Sequence, residues 1–198
     1  VTELTAGSDG DSLQISSGVP AWGSSSGAWV NEGSDVTTSR ADDLSVDVSD
    51  ADVYQILYNF ADDDGGTCSP VMRLNDVTTA TYKTLTTTAT DGNNFYCETK
   101  TYEKWLLANA GSELCYSGVA YVYKANTNFG SAEEAGATFT CNTGKNHSAG
   151  NYNIASNMGC NDTITGAITN IKLLCLREIN GGDNEGIIGS MRVNSMTY

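Results

Sequence analysis

Apolar and polar residues alternate strictly along several short stretches of this chain. Leu44, Val46 and Val48 interleave with Ser45, Asp47 and Ser49, the period of a strand with one face buried. The next run places Tyr54, Ile56, Tyr58 and Phe60 on one face. The same pattern, or a compact apolar run, predicts strands over 71–75, 80–88, 94–99, 114–124, 137–141, 167–177 and 187–194. Thr-rich runs such as Leu85-Thr86-Thr87-Thr88 suit a pleated surface. Between the runs stand turn clusters: Asp62-Asp63-Asp64-Gly65-Gly66, Asp91-Gly92-Asn93-Asn94 and Gly181-Gly182-Asp183-Asn184. One segment competes as a helix. Tyr102 to Gly111 contains good helix formers and a glycine stop, but its β flanks favour a strand around Trp105 and Leu107, or a single helical turn. Many short strands with glycine-rich turns predict an all-β antiparallel sandwich or barrel, with about four strands in each of two sheets.

Residues 1–40 have a different character. They are rich in Gly, Ser and Asp, with isolated Leu13, Ile15, Trp22 and Trp29, too few apolar groups for a core. They are expected to form an extended N-terminal arm, with 41–198 as the sandwich domain. Pro20 holds the arm extended or turned at that point. Large apolar side chains in such a segment need the domain, a partner or another copy to pack on. Leu13, Ile15, Pro20, Trp22 and Trp29 are therefore the candidate assembly and anchoring residues. The chain opens on Val1 and not on a methionine, so residues ahead of it are expected to have been removed or not included. No segment has the order of a signal peptide.

Composition narrows the function. The 198 residues carry 24 Asp and Glu against 10 Lys and Arg, a formal net charge of −14. Binding to nucleic acid needs a basic patch that displaces counterions from phosphates, and the few cations here are scattered, so no nucleic-acid partner is expected. No run approaches the ~20 apolar residues of a membrane-spanning helix, so no membrane insertion is expected. The six cysteines, Cys68, Cys97, Cys115, Cys141, Cys160 and Cys175, permit three disulfides in about 15 pairings. Cys115 and Cys175 lie inside strand patterns and read as buried thiols, whereas Cys68, Cys97 and Cys160 lie near turns. Zinc spacing is absent, and a single histidine, His147, leaves no His-based metal site. His147 reads as a loop residue, and no Gly-x-Ser-x-Gly elbow accompanies it. The run Asp62-Asp63-Asp64 lacks the spaced ligands of a calcium loop and reads as a solvated turn. No cofactor and no catalytic residue are expected. Two glycosylation sequons occur, at Asn146-His147-Ser148 and Asn161-Asp162-Thr163.

The segment from Gly10 to Trp22, which has the form G-x-x-L-x-x-x-x-G-x-P-x-W, resembles an element of tailed-bacteriophage fibre and appendage proteins that precedes a folded β domain. Three further pieces are similar, in the same order: Met72-Arg73-Leu74-Asn75 followed by Tyr82, the stretch Ile164 to Leu173, and the closing strand Gly186 to Val193. The six cysteines and the ending Asn194-Ser195-Met196-Thr197-Tyr198 depart from that pattern. The resemblance implies a jelly-roll type sandwich, commonly a homotrimer, displayed on the virion surface and without catalysis. Its partners would be further copies of itself, capsid or tail proteins, and a host surface glycan or receptor. A capsid decoration or head-spike protein and a tail-fibre tip are the two roles in view. Two other classes fit the residues: a secreted carbohydrate-binding module using Tyr116, Tyr121 and Tyr123, and an extracellular filament subunit whose arm completes a neighbour's sheet.

Overall fold

The structure is a computed structural model, and it describes residues 7, 11–16, 18–24, 28–33, 35–62, 68–78, 81–90, 94–108, 113–124, 136–147, 152–161, 163–164, 166–176 and 184–198. All regular elements among them are strands, and all their pairings are antiparallel. They are β1 (Asp11–Ser16), β2 (Val19–Ser24), β3 (Val30–Asn31), β4 (Val36–Ala41), β5 (Asp43–Asp47), β6 (Val53–Asp62), β7 (Ser69–Leu74) and β8 (Tyr82–Thr90). They continue with β9 (Asn94–Tyr102), β10 (Trp105–Leu106), β11 (Glu113–Lys124), β12 (Ala137–His147), β13 (Tyr152–Asn161), β14 (Asn170–Leu176), β15 (Asn184–Glu185) and β16 (Ile187–Met196).

Two unequal sheets make the sandwich. Among the described residues, the larger has nine strands in the order β3-β16-β6-β11-β12-β13-β8-β9, with β4 also alongside β16. The smaller has five, in the order β10-β7-β14-β15, with β5 also against β14. The expected pair of four-stranded sheets is thus replaced by a broad sheet and a narrow one. Each of the nine stretches read as strands from the sequence overlaps a strand of these sheets among the described residues. The helical alternative over 102–111 is not realised in the described part: β9 ends at Tyr102, and Trp105 and Leu106 pair with Met72 and Val71 of β7. The boundary expected between Arg40 and Ala41 falls inside β4, and β3 and β4 both hydrogen-bond to β16. Both β3 and β4 are therefore part of the large sheet.

The core lies between the sheets. Tyr54, Ile56, Tyr58 and Phe60 of β6 point inward with Tyr116, Ala120 and Val122 of β11, Phe139 of β12, and Met191 and Val193 of β16. From the small sheet come Leu44, Val46, Met72, Leu74, Ile171, Leu173 and Cys175. A second cluster, Val71, Tyr102, Leu106, Leu174 and Leu176, covers the other face of the small sheet. Both faces of β14 are therefore buried, and its sequence Leu173-Leu174-Cys175-Leu176 is a continuous apolar run with no alternation. Trp105 is the largest fully buried side chain. It stacks on Phe139 at 4.6 Å between ring centroids and meets Tyr82 edge-on at 5.2 Å.

Buried polar groups tie the interior together. The Tyr54 hydroxyl accepts from Ala51 N and donates to Ser49 O, both at 2.8 Å. The Tyr82 hydroxyl accepts from Leu74 N and donates to Leu74 O. Burial pushes both phenols up to about 12, because the charged form would lose its hydration. Asn75 takes the left-handed conformation, φ 51°, that Asn tolerates. Its side chain donates to Ala167 O and accepts from Thr169 N and Asn170 N. Two of the stretches quoted for the family resemblance, Leu74-Asn75 with Tyr82 and the segment at 167–170, thus meet at one corner of the sandwich and hold it closed.

The β10 segment needs polar partners because its backbone sits under the broad sheet. Leu107 O accepts from Thr143 Oγ1 at 2.9 Å and from the Cys141 thiol, and Leu106 O accepts from Asn157 Nδ2 at 2.8 Å. The Thr143 hydroxyl also bonds the Tyr58 hydroxyl at 2.6 Å.

Candidate assembly surface

The hairpin β1–β2 gathers four of the five candidate assembly residues. Its two-residue connection has Gly18 at φ 79°, a conformation natural to glycine in tight hairpins. The register places Leu13 opposite Trp22 and Ile15 opposite Pro20. Directly opposed residues share a face, and so do residues two apart. Leu13, Ile15, Pro20 and Trp22 therefore form one apolar face. Gly7 lies so close to it that a Cβ there would come within 2.7 Å of the Trp22 indole. The face is open: Leu13 is 57%, Ile15 70% and Trp22 40% exposed. Among the described residues, β1 and β2 pair only with each other. A two-stranded hairpin is marginal in water on its own, so this face suits a further layer laid against it.

Trp29 lies elsewhere. It sits on the outer face of the large sheet, with its ring 6.4 Å from that of Tyr121. Of the three tyrosines considered for sugar binding, Tyr116 is fully buried and donates to Cys68 O at 2.6 Å. Tyr121 and Tyr123 are on the outer face, stacked at 6.4 Å. Alternation along β11 separates them, Tyr116 being an odd number of residues from the other two.

The cysteines also divide. Cys68 and Cys175 form a disulfide across neighbouring segments of the small sheet, with Cα atoms 5.4 Å apart. This corrects the expectation that Cys175 is a free thiol; a strand interior accepts a bridge where the adjacent chain brings a second cysteine alongside. Cys115, Cys141 and Cys160 are free. Cys141 is buried, and burial pushes its thiol up to about 12, which suppresses the reactive thiolate. Cys97 is on β9, opposite Thr87, and its side chain lies outside the described residues.

The remaining candidates are dispersed. His147 ends β12, so its backbone is strand and not loop; the side chains of His147 and Asn146 lie outside the described residues. Asp62 closes β6 and is buried, whereas Asp63 and Asp64 lie outside the described residues. Asn161 of the second sequon is fully buried, which leaves no room for a glycan on its Nδ2, and its Oδ1 accepts from the Thr163 backbone and hydroxyl in an Asx turn. Among the described residues, no group of three His, Cys, Asp or Glu could hold a metal ion.

No family model, no curated protein and no solved structure matches the chain.

Proposed function

We propose that this chain is a non-catalytic β-sandwich displayed on a virion surface, as a capsid decoration or head-spike protein or a tail-fibre tip. It joins its assembly as a homotrimer through the apolar face of β1–β2. The observation that carries the proposal is that face: Leu13, Ile15, Pro20 and Trp22 stand together outside the sandwich core. Burying each large apolar side chain contributes about 1.5–3 kcal/mol, and a three-fold axis repeats every contact three times. The resemblance of Gly10 to Trp22 to appendage proteins points the same way, because the resembling residues are those of the hairpin. A net charge of −14 keeps displayed domains apart from one another. The disulfide Cys68–Cys175 supports a working life in an oxidising, extracellular setting.

The double variant Leu13→Ser/Trp22→Ser tests the proposal. Light scattering should show monomers where the parent chain is trimeric, and co-sedimentation with particles should be lost, while circular dichroism keeps the β signature. A variant that still trimerises and still sediments with particles overturns it.

A further inference from the structure

We propose that the outer face of the large sheet, from Trp29 across to Arg192, is a binding site for a neutral saccharide. This site is separate from the hairpin and does not depend on its role.

Three aromatic rings line one end of it. Trp29, Tyr121 and Tyr123 stand in series, each 6.4 Å from the next. Trp29 and Tyr123 keep 42% and 40% of their surface exposed. A sugar ring has an apolar C–H face and a rim of hydroxyls, so it takes an aromatic platform flanked by planar polar groups. Those groups are present in the adjoining positions. Asn194 Nδ2 donates to Gln55 Oε1 at 3.0 Å, and Gln55 Nε2 donates to the Tyr121 hydroxyl at 3.0 Å. The three residues lie opposite one another on β16, β6 and β11. The chain of bonds fixes both amides in orientation, and it leaves the Tyr121 O–H to donate and the Asn194 carbonyl oxygen to accept.

Two residues along the same strands, about 6–7 Å away, the face deepens. A cleft of about 280 Å³ is lined by Asp35, Leu57, Asn59, Ser190 and Arg192. Arg192 Nε and Nη2 each bond one oxygen of the Asp35 carboxylate at 2.6 Å. That pairing uses two of the five guanidinium donors and one acceptor position on each oxygen. The remaining donors and acceptors form a charge-neutral set of the kind that reads adjacent hydroxyls. The volume is at the small end for ligand sites, which suits one sugar unit in the cleft with the next on the aromatic rings.

Charge selects among saccharides. Asp35 and Arg192 cancel locally, and the whole chain is at −14, so sialylated or uronic-acid glycans are repelled and neutral hexose chains are not.

The test uses the full chain on an array of neutral and acidic oligosaccharides, followed by titration calorimetry with free neutral oligosaccharide. Neutral glycans should bind, and Trp29→Ala and Tyr123→Ala should each weaken the affinity by about tenfold, on the scale of one lost aromatic contact. Asn59→Ala should weaken it several-fold. Ile154→Ser, on the same face but on β13, should not change it, with circular dichroism constant throughout. Trp22→Ser should also leave this monovalent affinity unchanged, which separates the site from the hairpin. Binding to no neutral glycan, binding to acidic glycans alone, or undiminished binding by both aromatic variants overturns the proposal. So does a change of oligomeric state on Trp29→Ala, which would assign the face to contact between copies.

Discussion

Leu13, Ile15 and Trp22 alternate along β1 and β2 much as Tyr54, Ile56, Tyr58 and Phe60 alternate along β6. The first set is open to solvent, whereas the second is buried. Both stretches are antiparallel strands with one apolar face. The difference is what lies opposite. The β6 face meets the small sheet, with Leu44, Met72, Leu74 and Leu173 against it. Among the described residues, no sheet pairs with the hairpin. Alternation makes a strand, but a second layer realises its free energy of burial. In the hairpin, much of the surface of Leu13 and Ile15 is still available to a partner.

The strongest way to break the contrast is at the centre of the core. Trp105→Ala removes the ring stacked between Phe139 and Tyr82 and should lower stability by about 3–5 kcal/mol, read as a shift of the urea midpoint. A loss below about 1 kcal/mol would mean that the two sheets do not close on this residue.

Next comes the covalent tie. Cys68 and Cys175 are 107 residues apart in sequence, so the bridge restricts a long loop of the unfolded chain. Replacing both by alanine should lower stability by about 2–5 kcal/mol, seen in thermal melting. An unchanged melt, together with alkylation of both Cys68 and Cys175 in the denatured, unreduced parent protein, would show that the bridge does not form.

A smaller effect is expected in alkali. Tyr54 and Tyr82 are held protonated by burial, with values raised to about 12. The unfolded phenols ionise near their ordinary value, about 10. The folded state binds more protons above that point, so the stability contributed is fully present below pH ~10 and is lost as pH rises towards ~12. Denaturation midpoints measured across that window should fall, and tyrosinate absorbance should rise together with unfolding. A midpoint constant through the window would show these hydroxyls to be solvated.

The smallest effect sharpens the comparison from the other side. Trp22→Ser should change the unfolding free energy of the sandwich by no more than about 0.5 kcal/mol, because the hairpin is outside the core. A loss above 2 kcal/mol would place Trp22 against the sandwich and remove the distinction between the two regions.

Much of the fold was legible because most core strands obey the period of two. The failures are informative. β13 was not recognised, because its alternation is inverted: Ile154 and Met158 face out, 61% and 52% exposed, while Ala155, Asn157 and Asn161 are buried. Small and polar residues suit that inner face because the backbone of 105–108 runs beneath it and takes a hydrogen bond from Asn157. β3 and β4 were placed in an arm because their sequence is polar; they are edge segments held by backbone pairing with β16, and such bonds leave no trace in hydropathy. The grouping of Leu13, Ile15, Pro20 and Trp22 was half visible. Their separation from the core followed from their isolation, whereas their meeting on one face required the register of the Gly18 turn. Trp29 looked equivalent to Trp22, and only the path of β3 along β16 carried it to Tyr121.

Local order along the chain determined the all-β class and the inward faces of β5 and β6. Each depends on near neighbours, through the pleat of a strand and the conformational limits of turn residues. Tertiary structure alone decided the unequal sheets, the Cys68–Cys175 bridge, the seat of Trp105 and the meeting of Trp29 with Tyr121 and Tyr123. Each of these joins segments far apart in sequence, and their proximity comes from strand order and register, which a hydropathy pattern does not encode.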